Sequence, residues 1–243
     1  MLVLLLLAAF SAGFVDAIAG GGGLLTLPAL LAVGLPPHLA LGTNKGQAVF
    51  GSGTAFATFL RAGLIDRARA PGRFAAGFGG SLLGAGLVLL VAPEVLKPVV
   101  LALLIAVAIF LAFRPPLEPA ERPRAPWVGI ALALGIGAYD GFFGPGTGTF
   151  LIVGYVLLLG HALTRASAEA KVVNFGSNLA ALLVFAARGH VDWSIALPMA
   201  AAQLAGGWAG THVAVRGGDR LVRWVVLLVV AALVAKLATD LVR

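Results

Sequence analysis

The chain contains no cysteine, and Asp, Glu, Lys and Arg together make up only 11% of its 243 residues. The first absence excludes disulfides, thiolate metal sites and thiol chemistry. The second excludes an ordinary soluble domain, about a quarter of which is charged. No serine–histidine pairing, metal-ligand spacing or cofactor motif stands out, which argues against an enzyme and gives no cofactor or metal. The glycine clusters lack the Gly-Lys-Ser/Thr ending of a phosphate loop. No Lys or Arg precedes Lys45, so the start "MLVLLLLAAFSAGFVDAIAG" lacks the basic region of a signal peptide and reads as a retained membrane segment.

What is present is apolar: 60% of residues are hydrophobic and the mean hydropathy is +1.02. The expected class is an all-α integral membrane protein. A net charge of +7 could suggest nucleic acid, but the arginines lie in short loops between apolar blocks, where bilayer topology puts them. The blocks run Leu2–Ala19, Leu24–Val33, Leu39–Leu60, Phe74–Ala92, Val95–Phe113, Trp127–Phe143, Phe150–Leu159, Ala166–Ala187, Trp193–Val215 and Leu221–Leu241. One linker, "RPPLEPAERPRAP", divides the chain into a first repeat (1–113), a linker (114–126) and a second repeat (127–243).

The halves resemble each other. "GFVDAIAGGG" and "GAYDGFFGPG" align Gly13 with Gly137, Asp16 with Asp140, Gly20 with Gly144 and Gly22 with Gly146. Further on, Gly34 pairs with Gly160, Ala40 with Ala166, Lys45 with Lys171, Gly63 with Gly189, Asp66 with Asp192, Gly80 with Gly206 and Gly84 with Gly210. Two aspartates and a lysine aligned within apolar runs mark an internal duplication. Five segments per half force the second half into the membrane inverted. The arginines agree: the basic loop is 61–73 in the first half but 216–223 in the second. With the linker 114–126 these loops are expected in the cytoplasm, and the N-terminus outside. Leu24–Val33 and Phe150–Leu159 are about half the twenty residues of a full crossing. Each half is therefore expected to carry a glycine-broken or re-entrant hairpin followed by three transmembrane helices. Such segments in inverted halves point to a transporter site.

At "GFVDAIAGGGGLLTLPALLAVGLPPHLALGTNK" and "GAYDGFFGPGTGTF…AKVVNFGSNLAALLVF" the sequence resembles the TauE/SafE sulfite-exporter family, and the likeness runs from Gly13 to about Arg223. The resemblance implies a bacterial secondary transporter that moves small anions such as sulfite and organosulfonates across the cytoplasmic membrane.

Residue by residue, the glycine clusters have a chemical use. A helix starting after each cluster leaves its first backbone N–H groups unpaired, at the positive end of its dipole. Glycine lets an anion approach that backbone. Gly20, Gly21 and Gly22, with Thr26, form one candidate anion cradle; Gly144, Gly146 and Gly148, with Thr147 and Thr149, form the other. The bland alternative is close helix packing. Lys45 and Lys171 sit near the starts of long apolar helices. Lys171, Asn174 and Asn178 share one helical stripe, and Asn44 stands beside Lys45. Two cations and amide donors suit a small oxyanion; in the competing reading both lysines snorkel to headgroups. Asp16 and Asp140 pair with the lysines or with neutral backbone donors, or carry a coupling proton.

Glu169 is expected in a surface pair with Arg165. His38, His161 and His190 read as solvated loop residues, with Trp208 packed in mid-segment. The leading expectation is an alternating-access carrier whose two glycine tips and two lysines meet near the midplane. An anion channel of the same architecture, or a carrier of another small organic anion, is the alternative. The expected partners are a small anionic substrate and the lipid bilayer, without nucleic acid; the oligomeric state stays open, a homodimer included.

Overall fold

Every apolar block forms helix, and the breaks fall at glycine and proline. The computed structural model describes residues 1–113, 125 and 127–241. Among the described residues there are nine helices and no strands: α1 (Leu2–Ala19), α2 (Gly23–Ala32), α3 (Pro37–Arg61), α4 (Ala70–Val88), α5 (Pro93–Phe113), α6 (Trp127–Phe142), α7 (Thr147–Leu159), α8 (Leu163–Ala187) and α9 (Trp193–Leu241). The linker 114–126 lies outside the described residues except for Ala125.

One boundary differs from expectation. The sequence predicts a loop at 216–223 and a tenth segment after it, but α9 continues unbroken for 49 residues. The polar run "RGGDRLVR" interrupts the hydropathy without breaking the helix. It has no proline, and a glycine in a helix costs only about 1 kcal/mol. At 1.5 Å per residue such a helix is roughly 74 Å long, more than twice the ~30 Å hydrocarbon layer. The other basic loop is also shorter than expected, because Arg61 closes α3 and Ala70–Arg73 open α4.

The surface pattern is that of a lipid-facing protein. Leu4, Leu83, Leu87 and Leu90 are exposed while Lys45, Lys171 and Glu169 are buried, the reverse of a soluble domain. Among the described residues α1 and α8 are long and apolar enough to cross a membrane, and α2, α6 and α7 are apolar but shorter.

The apolar interior is split in two. One cluster joins Leu5 and Ala9 of α1 to Leu24, Leu27 and Leu30 of α2, Ala40 of α3, Val88 of α4 and Phe185 of α8. The other joins Ala133 of α6 to Leu151, Ile152, Val156 and Leu159 of α7, Phe59 of α3, Ala70 of α4 and Val172 of α8. Thus α2 folds back along α1 in one cluster, and α7 along α6 in the other.

Helix contacts are exchanged between the halves. α1 packs on α9 as α6 packs on α4, α3 on α9 as α8 on α4, and α3 and α8 lie against each other. Glycine makes the closest approaches possible. A Cβ on Gly80 or Gly84 would strike the Leu134 and Ala138 carbonyls of α6; on Gly206 or Gly210 it would strike those of Phe10 and Phe14 of α1. The positive-φ turns are paired as well. Gly20 and Gly144 follow α1 and α6, Gly34 and Gly160 follow α2 and α7, and Gly63 and Gly189 follow α3 and α8.

Candidate functional site

The glycine breaks bring the two hairpin tips together. Gly20 (φ 75°) ends α1, and Gly144 (φ 103°) and Gly146 (φ 88°) lie between α6 and α7. A Cβ at Gly20 would lie 2.3 Å from the Thr149 nitrogen, and one at Gly148 would lie 2.7 Å from the Gly20 Cα. No side chain larger than hydrogen fits there. The Thr149 hydroxyl donates to the Ala19 carbonyl at 3.1 Å and ties the tips together.

Around this crossing sit two ion pairs, each made between the halves. Lys45 Nζ of α3 donates to Asp140 Oδ1 of α6 at 2.8 Å, and Lys171 Nζ of α8 donates to Asp16 Oδ2 of α1 at 2.8 Å. Lys45 and Lys171 are 1% and 0% exposed, so neither snorkels to the surface. Lys45 also donates to Asn178 Oδ1 at 3.1 Å.

The aspartates differ in their support. Asp140 accepts from Lys45, from the Thr147 hydroxyl at 2.8 Å and from the Ser177 hydroxyl. Asp16 accepts from Lys171 and, at a long 3.4 Å, from the Gly22 backbone N–H. The Asp16 side chain is 18% exposed, and that of Asp140 only 4%.

Between the pairs lies a cavity of about 30 Å³ lined by Asp16, Gly21, Gly23, Thr26, Asn44, Lys45, Ala48, Asp140, Gly144, Gly146, Thr147, Gly148, Asn174, Asn178 and Gln203. That volume suits one or two waters. Thr26 donates to Asn44 Oδ1 at 2.6 Å, and Gln47 Nε2 donates to the same oxygen at 3.0 Å. The Asn174 and Gln203 amides each keep one oxygen without a partner.

Most of the candidate residues therefore meet at one place, but four stand back from the cavity. Gly20 and Thr149 form the crossing, Gly22 packs on the Asp16 Cβ, and Lys171 lies behind Asp16. Sequence reasoning missed Gln203, which a lone amide in an apolar run of α9 could have signalled. It also missed Ser177, which lies on α8 between the two chosen asparagines.

Glu169 corrects the sequence reading outright. It is buried and does not form a surface pair with Arg165. Its Oε2 accepts from Arg73 Nη1 at 2.6 Å and its Oε1 from the Asp66 backbone N–H at 2.8 Å. Arg73 lies over the Tyr155 ring, 5.1 Å from its centroid, and Tyr155 neighbours His161. Residue spacing pointed to the i+4 partner on the same helix, whereas α4 delivers an arginine from the other half. His38 is likewise buried, its Nε2 3.1 Å from the Val88 carbonyl. Trp208 is exposed rather than packed inside.

Among the described residues the fold is all-helical, with an apolar exterior and buried charges paired across the halves, as in a membrane protein, and comparison with known proteins specifies its class. Residues 5–237 match the family described as Sulfite exporter TauE/SafE, and the chain belongs to that family. It is 39% identical to the "Probable membrane transporter protein ORF9" of Sinorhizobium sp, over 99% of this chain and 93% of that protein. Identity to the "Probable membrane transporter protein YfcA" of Escherichia coli K12 is also 39%, over 99% of this chain and 90% of that protein. A "Probable membrane transporter protein" of Haemophilus influenzae is 37% identical over 99% and 95%. No solved structure matches.

Proposed function

We propose that the chain is a secondary transporter of small anions, with sulfite and other sulfur oxyanions or organosulfonates as the substrates to test first. It works by alternating access around a midplane site between two inverted repeats, 1–113 and 127–243, and is not an enzyme. The observation that carries this reading is the pair of cross-half Lys–Asp contacts at the meeting of the two glycine tips. A buried ammonium is costly unless paired. A protein that keeps one of them in the wall of a polar cavity, and a second behind Asp16, retains cations that an anion can use.

The binding set is Lys45, Lys171, Asn44, Asn174, Asn178, Thr26, Thr147 and the glycine backbones that line the cavity. Rocking of the halves, or movement of the hairpins, exposes the cavity to each side in turn. On this reading the protein works in the bacterial inner membrane. The stretches 61–73 and 216–223 lie on the cytoplasmic side, together with 114–126, which falls largely outside the described residues.

The test is thermal stabilisation of purified protein by sulfite, taurine, sulfoacetate, thiosulfate and sulfate, beside Lys171→Met and Lys45→Met. A shift with one sulfur oxyanion, lost in both variants, supports the reading. No shift with any of them, and no flux in liposomes, refutes it.

A further inference from the structure

The anion site is electrically full before any anion arrives. Each lysine already holds a carboxylate at 2.8 Å. A second anion beside either pair meets a like charge within a few ångströms, in a medium that screens poorly. An anion must therefore displace an aspartate, and the two aspartates are not equally displaceable. Asp140 is held by three side-chain donors. Asp16 is held by Lys171 and one long backbone contact, is the more exposed of the two, and lines the cavity that Lys171 does not reach. Asp16 thus stands between the cavity and the Lys171 ammonium.

Among the described residues, the charged groups around Asp16 are Lys171 from α8, Lys45 from α3 and Asp140 from α6; α2, α7 and α9 offer the cavity only the neutral Gly23, Thr26, Thr147, Gly148 and Gln203.

Resting on the anion reading above, we infer that Asp16 carries a proton with each transported anion. A hydronium ion on the open side gives its proton to the Asp16 carboxylate and leaves as water, one O–H bond breaking as another forms, and the ion pair with Lys171 is lost. The freed ammonium takes the anion as its counter-ion. When the anion leaves, Asp16 gives its proton to water on the same side and pairs again with Lys171. The empty set (Asp⁻, Lys⁺) and the loaded set (neutral Asp, Lys⁺, monovalent anion) both carry zero net charge. One proton therefore moves with each anion in the same direction, and a monovalent anion moves electroneutrally.

The experiment uses proteoliposomes with a trapped pH dye, and methanesulfonate, a monoanion that stays ionised near neutral pH, so any proton moving with it is carried by the protein. Thiosulfate, a dianion, is the second probe. The expected result is methanesulfonate uptake driven by an external acid pulse, with lumen acidification and no response to an imposed voltage. Thiosulfate uptake should carry one net negative charge. Wild-type Kd for methanesulfonate should rise with pH, about tenfold per pH unit, because binding takes up one proton. Asp16→Asn should abolish the pH slope and the acid-driven uptake while still binding the anion. Anion flux that follows voltage and leaves the lumen pH unchanged, or an unchanged pH slope in Asp16→Asn, overturns this inference and leaves the anion site standing. If neither probe binds or moves, the anion reading falls as well.

Discussion

The two ends of the molecule are built on the same plan and closed differently. At the end near α7, Glu169 accepts from the Asp66 backbone N–H and from Arg73. At the spacing that pairs Lys45 with Lys171, the positions matching Glu169, Asp66 and Arg73 are Thr43, Asp192 and Met199. There the Asp192 backbone N–H donates to the Thr43 hydroxyl at 2.9 Å, and Met199 is an apolar core residue. The backbone contact is kept at both ends, and the ion pair at one. The same backbone contact thus carries two strengths of closure, with the ionic one joining α4 to α8. A carrier alternating between two openings, as proposed above, would not need equal locks. The two central pairs repeat the lesson, since Asp140 is held firmly and Asp16 loosely.

The largest expected effect comes from breaking the ionic end. Glu169→Ala leaves the buried Arg73 unpaired and should cost about 3–5 kcal/mol, read as a fall in thermal midpoint in detergent. Copying the other end, with Arg73→Met and Glu169→Thr together, should recover most of that loss. If the double variant is as unstable as Glu169→Ala, the two ends are not equivalent positions.

Next come the central pairs. Asp140→Asn removes the charge partner of the buried Lys45 and should destabilise by roughly 3 kcal/mol or more. Asp16→Asn, at the looser and wetter pair, should cost clearly less. Equal losses would erase the distinction between them.

Smaller is the contrast between two positive-φ glycines. A Cβ at Gly144 would lie 2.8 Å from the Lys45 Nζ, whereas one at Gly63 meets nothing within 4 Å. Gly63→Ala should cost only the backbone term, about 1–2 kcal/mol. Gly144→Ala should cost that and also disturb anion binding, which a binding titration on both variants would resolve.

The smallest effect is a pH term at the ionic end. His161, in the turn between α7 and α8, is pushed down to about 4 by burial and then by Arg165, Arg73 and Arg69. Between that value and the ordinary 6.5 the unfolded chain binds a proton that the folded chain refuses, so stability falls as pH drops through this window. His161→Asn should flatten that part of the midpoint-against-pH curve relative to wild type.

Much of this was legible in the sequence because charge is expensive inside a membrane and the positive-φ turns call for glycine. Asp16, Asp140, Lys45 and Lys171 stand out against apolar runs, and the paired glycines fall at the matching turns. What the one-dimensional pattern does not encode is which charge meets which. The lysines take partners from the opposite half, and Glu169 passes over the nearby Arg165 for Arg73, because helix crossing decides contact at that range. The run at 216–223 misled for a related reason: hydropathy registers polarity, whereas helix continuity depends on backbone chemistry that the run leaves intact.

The central claim is that the cavity between the glycine tips opens alternately to each side and holds the anion. The absence of cysteine makes a direct test available, since Ala48→Cys places a lone thiol in the cavity wall. Its reaction with a membrane-impermeant, charged thiol reagent would be measured from each face of proteoliposomes, with and without methanesulfonate. The account predicts modification from both faces and slowing by the anion. Modification from neither face, or at rates the anion leaves unchanged, would contradict it.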